Sequence, residues 1–397
     1  MSLNETPSGE RTHIGFFGMR NAGKSSLVNA VTGQDLAVVS DIKGTTTDPV
    51  RKAMELLPLG PVMIIDTPGY DDEGKLGNER VKKTREILQT CDIAVVAADA
   101  SVGLSDKDTE LIELIRDRDI PYLIVWNKTD ISEALPAPEN AIAVSSLTGS
   151  GIVELKERLA RMIPDKEPRR LAGDLVERGD MCVLVCPIDE SAPKGRLILP
   201  QQQTIRDLMD SGAIPVVCRD TELDELLKKP GFEPALVITD SQAFKKVGSI
   251  VPDEMPLTSF SILMARYKGF LETAVKGIGA VKELSDGDRI LLAEGCTHHR
   301  QCNDIGTVKI PRWLKEYTKK ELIIETSSGP DFPEDLSSYS LVIHCGGCML
   351  TENAVLARMH RATAQGVPFT NYGIAIAFMT GVLERSLRLF PDLHGLL

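Results

Sequence analysis

The run Gly18-Met19-Arg20-Asn21-Ala22-Gly23-Lys24-Ser25 has the form G-x-x-x-x-G-K-S. Glycines at these positions let the backbone wrap closely around a phosphate chain with consecutive N–H groups aimed at it. Lys24 can reach the terminal phosphates, the Ser25 hydroxyl can bind Mg²⁺, and Asn21, Ala22, Gly23 and Ser26 complete the loop. The context agrees. The apolar run Ile14 to Phe17 reads as the strand before the loop, and Ser26-Leu27-Val28-Asn29 as the opening of a helix whose positive end faces the phosphates.

Three further segments turn a nucleotide site into a guanine site. Val62 to Ile65 leads into Asp66-Thr67-Pro68-Gly69, which resembles the D-x-x-G of the GTPase superfamily. There Asp66 would hold Mg²⁺ through its water shell, and the Gly69 N–H would sense the γ-phosphate. Tyr122 to Trp126 ends in Asn127-Lys128-Thr129-Asp130, which matches N-K-x-D. The Asp130 carboxylate can accept from both the ring N–H and the exocyclic amine of guanine; adenine offers no such pair, and an unpaired buried carboxylate rejects it. Ala141 to Val144 then runs into Ser145-Ser146-Leu147, a weaker version of the loop that contacts the guanine oxygen. All of these follow predicted strands, and ligands of open parallel sheets bind beyond the carboxyl ends of strands.

Thr45-Thr46-Thr47, between Gly44 and Asp48, resembles the first switch of the Era, Der and TrmE branch of bacterial GTPases. The resemblance makes Thr46 a Mg²⁺ ligand that lets go after hydrolysis, and the catalytic set Lys24, Thr46, Asp66 and Gly69. Ras-like enzymes place a glutamine after the D-x-x-G glycine to orient the attacking water; here the residue is Tyr70. Asn21, at its point in the phosphate loop, resembles the potassium-activated GTPases, in which K⁺ stands in for an arginine finger. Slow intrinsic hydrolysis, faster in K⁺ than in Na⁺, is expected.

A chain of 397 residues is too long for one domain. Its net charge of −12 argues against nucleic acid as the main partner, since neutralising a phosphate backbone takes clustered Lys and Arg. No N-terminal segment reads as a signal peptide and no apolar stretch is long enough to span a bilayer, so a cytoplasmic protein without membrane contact is expected. Eight cysteines in such a chain point to metal or catalytic thiols rather than disulfides.

The expected fold class is α/β: a P-loop GTPase domain over 1–168, then two further α/β units with mainly parallel sheets, a small one over 169–260 with a packing or self-association role and a metal-binding unit over 261–397. The first closes with a helix near Val153 to Met162 and the linker Pro164 to Arg170. The second alternates strands at Met181 to Val185, Ile214 to Cys218 and Ala235 to Thr239 with helices at Thr204 to Asp210, Glu222 to Lys229 and Ser241 to Val247. The third opens with a long helix, Ile262 to Leu284, followed by strands at Arg289 to Ala293, Leu322 to Glu325 and Leu341 to Ile343 and helices at Trp313 to Lys319 and Thr351 to Gln365. No strict internal repeat is evident.

A second chemical site lies in the third unit. Cys296-Thr297-His298-His299 and His344-Cys345-Gly346-Gly347-Cys348 each directly follow a predicted strand, so in a parallel sheet both stand at one carboxyl edge. The Cys-x-x-Cys loop lets two thiolates face one metal, Gly346-Gly347 allows the tight turn, and Cys296 would add a third thiolate. The helix starting near Thr351 favours thiolates and an anionic cluster. Composition leaves zinc and an iron–sulfur cluster about equal, with a redox dithiol as a third option. Cys91, Cys182, Cys186 and Cys218 read as core residues, Cys302 as a spare ligand, and His299, His13, His360 and His394 as structural or exposed.

Cys-x-His followed far downstream by His-Cys-x-x-Cys, behind an Era-like GTPase unit, resembles the HydF family, the GTPase scaffolds of FeFe-hydrogenase maturation, over the whole chain. The resemblance implies a homodimer whose C-terminal unit holds a 4Fe–4S cluster on Cys296, Cys345 and Cys348. His298 and His344 match the family's histidines and are candidates for the fourth ligand, or orient the site from behind. It further implies a carrier on which the di-iron precursor of the hydrogenase active site is assembled and delivered, with FeFe-hydrogenase and radical-SAM maturases as partners. The alternative is a zinc-containing Era-like GTPase acting on RNA or ribosomes, against which stand the acidic balance and the absence of a KH-type loop in a basic setting.

Overall fold

Uninterrupted apolar runs mark most of the strands, because parallel strands covered on both faces need apolar residues at every position. The computed structural model describes residues 6–34, 49–70, 75–132, 140–163, 169–188, 197–295, 304–329, 331–393 and 395–396, without the side chains of 75–80. They divide into two compact units, Met1–Lys166 and Glu167–Leu397.

The first unit runs β1 (Thr12–Phe17), α1 (Lys24–Thr32), β2 (Val50–Leu56), β3 (Gly60–Asp66), α2 (Lys75–Leu88), β4 (Ile93–Asp99), α3 (Asp106–Arg116), β5 (Tyr122–Asn127), β6 (Ala141–Ala143) and α4 (Ile152–Met162). The six-stranded sheet has the order β2-β3-β1-β4-β5-β6. Every pairing is parallel except β2 on β3. Register places the motifs together: Asp66 lies beside Phe16, and Asn127 beside Asp99, at the carboxyl edge. β2 was not expected; its sequence VRKAMEL is almost wholly exposed at the sheet edge and carries no apolar signal.

The second unit runs β7 (Met181–Val185), α5 (Leu199–Asp210), β8 (Ile214–Cys218), α6 (Leu223–Leu227), β9 (Leu236–Thr239), α7 (Phe244–Ile250), β10 (Leu257–Ser259), α8 (Phe260–Tyr267) and α9 (Leu271–Ile278). It continues with β11 (Arg289–Glu294), α10 (Ile310–Thr318), β12 (Ile323–Ser328), β13 (Leu341–His344), α11 (Glu352–Ala364), β14 (Phe369–Asn371), α12 (Tyr372–Met379) and α13 (Leu383–Leu387). Two four-stranded parallel sheets result, β10-β9-β7-β8 and β12-β11-β13-β14. One continuous apolar core, from Leu171 to Phe390, serves both. The single helix expected over 262–284 is instead α8 and α9 followed by a 3-10 turn over Gly279–Lys282. Gly269, at φ +77°, ends α8 in the left-handed conformation that stops a helix.

The two sheets have the same topology. Numbered from its own first strand, each has the order 2-1-3-4. The correspondence reaches individual residues 112 positions apart: Pro256-Leu-Thr-Ser-Phe-Ser-Ile-Leu-Met-Ala-Arg-Tyr-Lys-Gly-Phe270 matches Pro368-Phe-Thr-Asn-Tyr-Gly-Ile-Ala-Ile-Ala-Phe-Met-Thr-Gly-Val382. Ser259 and Asn371 cap the N–H groups of Ile262 and Ile374. Gly269 and Gly381 share φ +77°. The closing bonds, Phe270 N–H to Ala265 O at 3.0 Å and Val382 N–H to Ala377 O at 2.9 Å, are equivalent. The internal repeat that sequence inspection did not reveal is therefore present. Contacts between the halves are reciprocal: a Cβ on Gly346 would stand 3.6 Å from Ser261 Oγ, and one on Gly373 would stand 3.2 Å from Ser241 Oγ. Ser241 is the counterpart of Gly346, and Ser261 of Gly373, as expected for a pseudo-twofold relation.

Candidate nucleotide and metal sites

The phosphate loop is held open by its glycines. Gly18 has φ +133°, and a Cβ there would lie 2.1 Å from Ala97 O; Gly23 has φ +82°, and a Cβ would lie 2.3 Å from Asn127 Nδ2. Asn21 is also left-handed, φ 62°, a conformation asparagine tolerates, and its side chain faces solvent. Lys24 opens α1, is buried, and donates to Gly18 O at 2.9 Å and Met19 O at 2.8 Å. Ser25 Oγ donates to Asp66 Oδ2 at 2.8 Å, whereas the buried Oδ1 has no hydrogen-bond partner among the described residues. Burial raises the Asp66 carboxyl, opposed by the Ser25 bond and the Lys24 charge. A buried carboxylate with an idle oxygen, beside a hydroxyl, fits a hydrated Mg²⁺.

The guanine side is tied to the loop directly. Asn127 Nδ2 donates to Ala22 O at 3.1 Å, and its Oδ1 accepts from Ser146 N–H at 3.0 Å. Asp130 Oδ1 accepts from Ser145 Oγ at 2.6 Å. Lys128, at φ 66°, pairs with Asp99 Oδ2 at 2.7 Å. Burial alone would raise the Asp99 carboxyl, but the bonds from Lys128 and Ser101 hold it below the ordinary value. An open cleft between α1 and the Ser146-Leu147 loop is lined by Ser26, Asn29, Ala30 and Gly33. Lys128–Asp99 was not foreseen, because the partners are 29 residues apart and only the β4–β5 register brings them together.

Tyr70 is turned away from chemistry. It is 3 % exposed, and its hydroxyl donates to Glu110 Oε1 at 3.3 Å. It presents no group to an attacking water. Gly69 lies in the described loop after β3, while Thr45, Thr46 and Thr47 fall outside the described residues.

In the second unit the cysteine loop sits at a topological switch point. The chain leaves β11 for β12 on one side and returns to β13 on the other, so a crevice opens beyond the carboxyl ends of β11 and β13. Glu294 ends β11, two residues before Cys296; His344 ends β13, immediately before Cys345. Cys345 Sγ accepts from Gly295 N–H at 3.1 Å and Gly347 N–H at 3.4 Å. Burial raises the Cys345 thiol, opposed by these two N–H groups and by Arg358, while Glu294 adds to the rise. Cys348 is pushed up to about 11, chiefly by burial and by Cys345, with Lys268 opposing. Gly347 has φ +68°, and a Cβ there would lie 2.8 Å from Val355. N–H groups aimed at sulfur favour thiolate, and α11, capped by Thr351, begins four residues past Cys348. The two thiols suit thiolate ligation, and among the described residues no group of three or more His, Cys, Asp or Glu side chains gathers around one point.

His344 is fully buried and stacks on Phe369. Its Nδ1 is 2.7 Å from Cys345 O and its Nε2 is 3.1 Å from Arg358, so Nδ1 donates and Nε2 accepts. Burial first, then the Arg358 charge, push its pKa down to about 3, keeping the ring neutral. Arg358 also donates to Glu294 O and Gly329 O, bracing the ends of β11, β12 and β13 from α11. No sequence signal marked Arg358, since its partners are set by sheet order. Cys296, His298, His299, Cys302 and His394 lie outside the described residues. Cys91, Cys182 and Cys186 are buried, as expected of core thiols. Among the described residues no helix is long and apolar enough to cross a membrane.

Residues 13–128 match the family model described as 50S ribosome-binding GTPase. Residues 171–269 match the hydrogen maturase F dimerization domain, and 272–389 the hydrogen maturase F tetramerization domain. The tRNA modification GTPase MnmE of Synechococcus sp. is 37% identical over 166 residues, 39% of this chain and 35% of that protein. That of Desulforamulus reducens is 40% identical over 117 residues, 29% of this chain and 25% of that protein. The chain thus spans about a third or less of the length of these curated relatives. A crystal structure of an Aquifex aeolicus Era variant bound to GDP and aluminium fluoride is 19% identical with a TM-score of 0.35, covering 52% of this chain and 92% of that one.

Proposed function

Because the chain belongs to the hydrogen maturase F family, we propose that it is a GTP-hydrolysing scaffold that holds a 4Fe–4S cluster and assembles and delivers the di-iron precursor of the FeFe-hydrogenase active site. One observation carries the reading: a GTPase domain shares the chain with a cysteine pair at the β11–β13 switch point, inside the residues matched by the tetramerization model.

In the GTPase domain, Asn21, Ala22, Gly23, Lys24, Ser25 and Ser26 cradle the phosphates. Lys24 exchanges its two loop carbonyls for the terminal phosphates, where its charge offsets that developing in phosphoryl transfer. Ser25 and Thr46 bind Mg²⁺, Asp66 holds its water shell, and the Gly69 N–H reads the γ-phosphate. Asn127, Lys128, Asp130, Ser145 and Ser146 hold the base. With Tyr70 engaged by Glu110, Asn21 is the candidate K⁺ ligand that supplies the missing positive charge.

In the C-terminal unit, Cys296, Cys345 and Cys348 hold the cluster, which supplies an anionic anchoring and redox group when bound. His298 is the remaining histidine candidate for a fourth, exchangeable position. His344, with both ring nitrogens engaged by the protein, orients the Cys345 loop. The domains are 1–168, 169–260 and 261–397, the assembly is at least a homodimer, and FeFe-hydrogenase and radical-SAM maturases are the partners. GTP acts by biasing two conformations of different nucleotide affinity.

The test is anaerobic purification, reconstitution with iron and sulfide, and absorption, EPR and metal analysis. A brown protein with about four irons, lost on replacing Cys296, Cys345 or Cys348, supports the scaffold. A colourless protein with one tight zinc overturns it in favour of an RNA-directed zinc GTPase.

A further inference from the structure

The duplicated architecture of the second unit is symmetric in its backbone and asymmetric in its chemistry. β9 and β13 correspond at an offset of 105 residues, since Val237 N–H donates to Pro256 O and Val342 N–H to Pro368 O. On that correspondence Cys345 matches Asp240 and Cys348 matches Ala243. The first half thus has the same switch point but not the Cys-x-x-Cys pair.

Lys268 breaks the symmetry in the opposite direction. Its counterpart at the end of α12 is Thr380, which turns its hydroxyl back to Ile376 O. Lys268 belongs to the half without the Cys-x-x-Cys loop, is 2 % exposed, and crosses to the other half to donate from Nζ to Leu350 O at 2.9 Å. Leu350 N–H in turn donates to Gly347 O at 3.0 Å, so the ammonium closes the loop that carries Cys348. The same ammonium lies 5.5 Å from the centroid of the Tyr267 ring, and its charge opposes the rise of the Cys348 thiol.

The charged groups facing the loop come from three elements. Arg358 on α11 approaches through His344, and Glu294 ends β11 beside Gly295. Glu352, in the first turn of α11, is paired with Arg169 at 2.7 Å. Lys268, from the end of α8, approaches the Cys348 side.

We propose that Lys268 is a positioning and potential-setting residue of the cysteine site, contributed by the half of the unit that lacks the Cys-x-x-Cys loop. Its fixed positive charge stabilises the more negative, reduced state of a thiolate-bound cluster and raises its reduction potential. The inference rests on the cluster reading given above.

The test compares wild type with Lys268→Gln and Lys268→Arg after anaerobic reconstitution, using iron content, circular dichroism and an EPR-monitored redox titration. Lys268→Gln should keep its iron and move the midpoint to a more negative value. At the wild-type midpoint its oxidised-to-reduced ratio should rise about tenfold, or about 59 mV for one electron. Lys268→Arg should stay near wild type. An unchanged midpoint in an iron-loaded Lys268→Gln protein overturns the proposal and leaves a purely structural lysine. If Lys268→Gln does not fold, Lys268→His replaces it: its midpoint should fall as pH rises through imidazole titration, relative to wild type, and a parallel pH dependence overturns the proposal. Failure of wild type itself to take up iron defeats the cluster reading instead.

Discussion

Asn127 donates its side-chain amide to the carbonyl of Ala22, 105 residues earlier, at 3.1 Å. The same side chain accepts from Ser146 N–H at 3.0 Å, so one residue clamps the phosphate loop to the base loop before any nucleotide arrives. Asn127→Ala removes both bonds and leaves one buried and one half-buried backbone group to find other partners, at about 1–3 kcal/mol. GTP affinity is expected to fall about tenfold or more, with a lower melting temperature of the GTPase unit. Titration with a fluorescent GTP analogue and calorimetry check both; unchanged affinity would show that the clamp does not organise the site.

On the proposed reading, Asp130 sets which base is accepted. It now takes a hydrogen bond from Ser145 Oγ at 2.6 Å and stands ready to accept from guanine. Asp130→Asn replaces one acceptor by a donor. GTP binding should drop by about 100-fold, while xanthosine triphosphate, which offers an oxygen where guanine offers an amine, should bind better than GTP. Competition between the two nucleotides measures the reversal.

With Tyr70 buried and engaged by Glu110, hydrolysis needs a charge from elsewhere. Turnover in KCl should exceed that in NaCl of equal ionic strength by about tenfold, or about 1.4 kcal/mol. Asn21→Gly preserves the positive φ of 62° while deleting the amide, and should abolish the difference. Equal rates in the two salts for the wild type would remove K⁺ from the reading.

What the sequence made legible follows from how each feature is encoded. Buried parallel strands such as β4 and β7 are apolar at nearly every position and could be read directly. The exposed edge β2 could not, because burial rather than backbone pairing writes the hydrophobic pattern. The phosphate and base motifs are local spacings and were visible. Lys128–Asp99, His344–Arg358 and Lys268–Leu350 depend on strand register and helix docking, and the chain gives no local sign of them. The expected 262–284 helix failed at Gly269, where apolar periodicity continues through a left-handed residue. The duplication stayed hidden because, over Pro256 to Phe270, only the Pro, Thr, Ile, Ala and Gly positions remain identical in the second copy, while hydrogen bonds and caps are preserved.

The seam between the two copies makes a last, sharper expectation. Ser261 and Gly373 are equivalent residues that meet across it, and a Cβ on Gly373 would lie 2.6 Å from Ser261 Cβ. That separation is too short for two carbons, and neither atom is the free end of a flexible chain. Alanine at 373 gains helix propensity of up to about 1 kcal/mol, but overpacking a filled interface costs about 1–3 kcal/mol. Gly373→Ala should therefore be net destabilising by about 1–2 kcal/mol, lowering the melting temperature of the second unit. The paired change Ser261→Gly with Gly373→Ala should restore most of the loss, because the clash, not the helix, is responsible. Differential scanning calorimetry on the four proteins of this cycle gives the coupling. Additive effects would mean that α8 and α12 do not meet at these two residues.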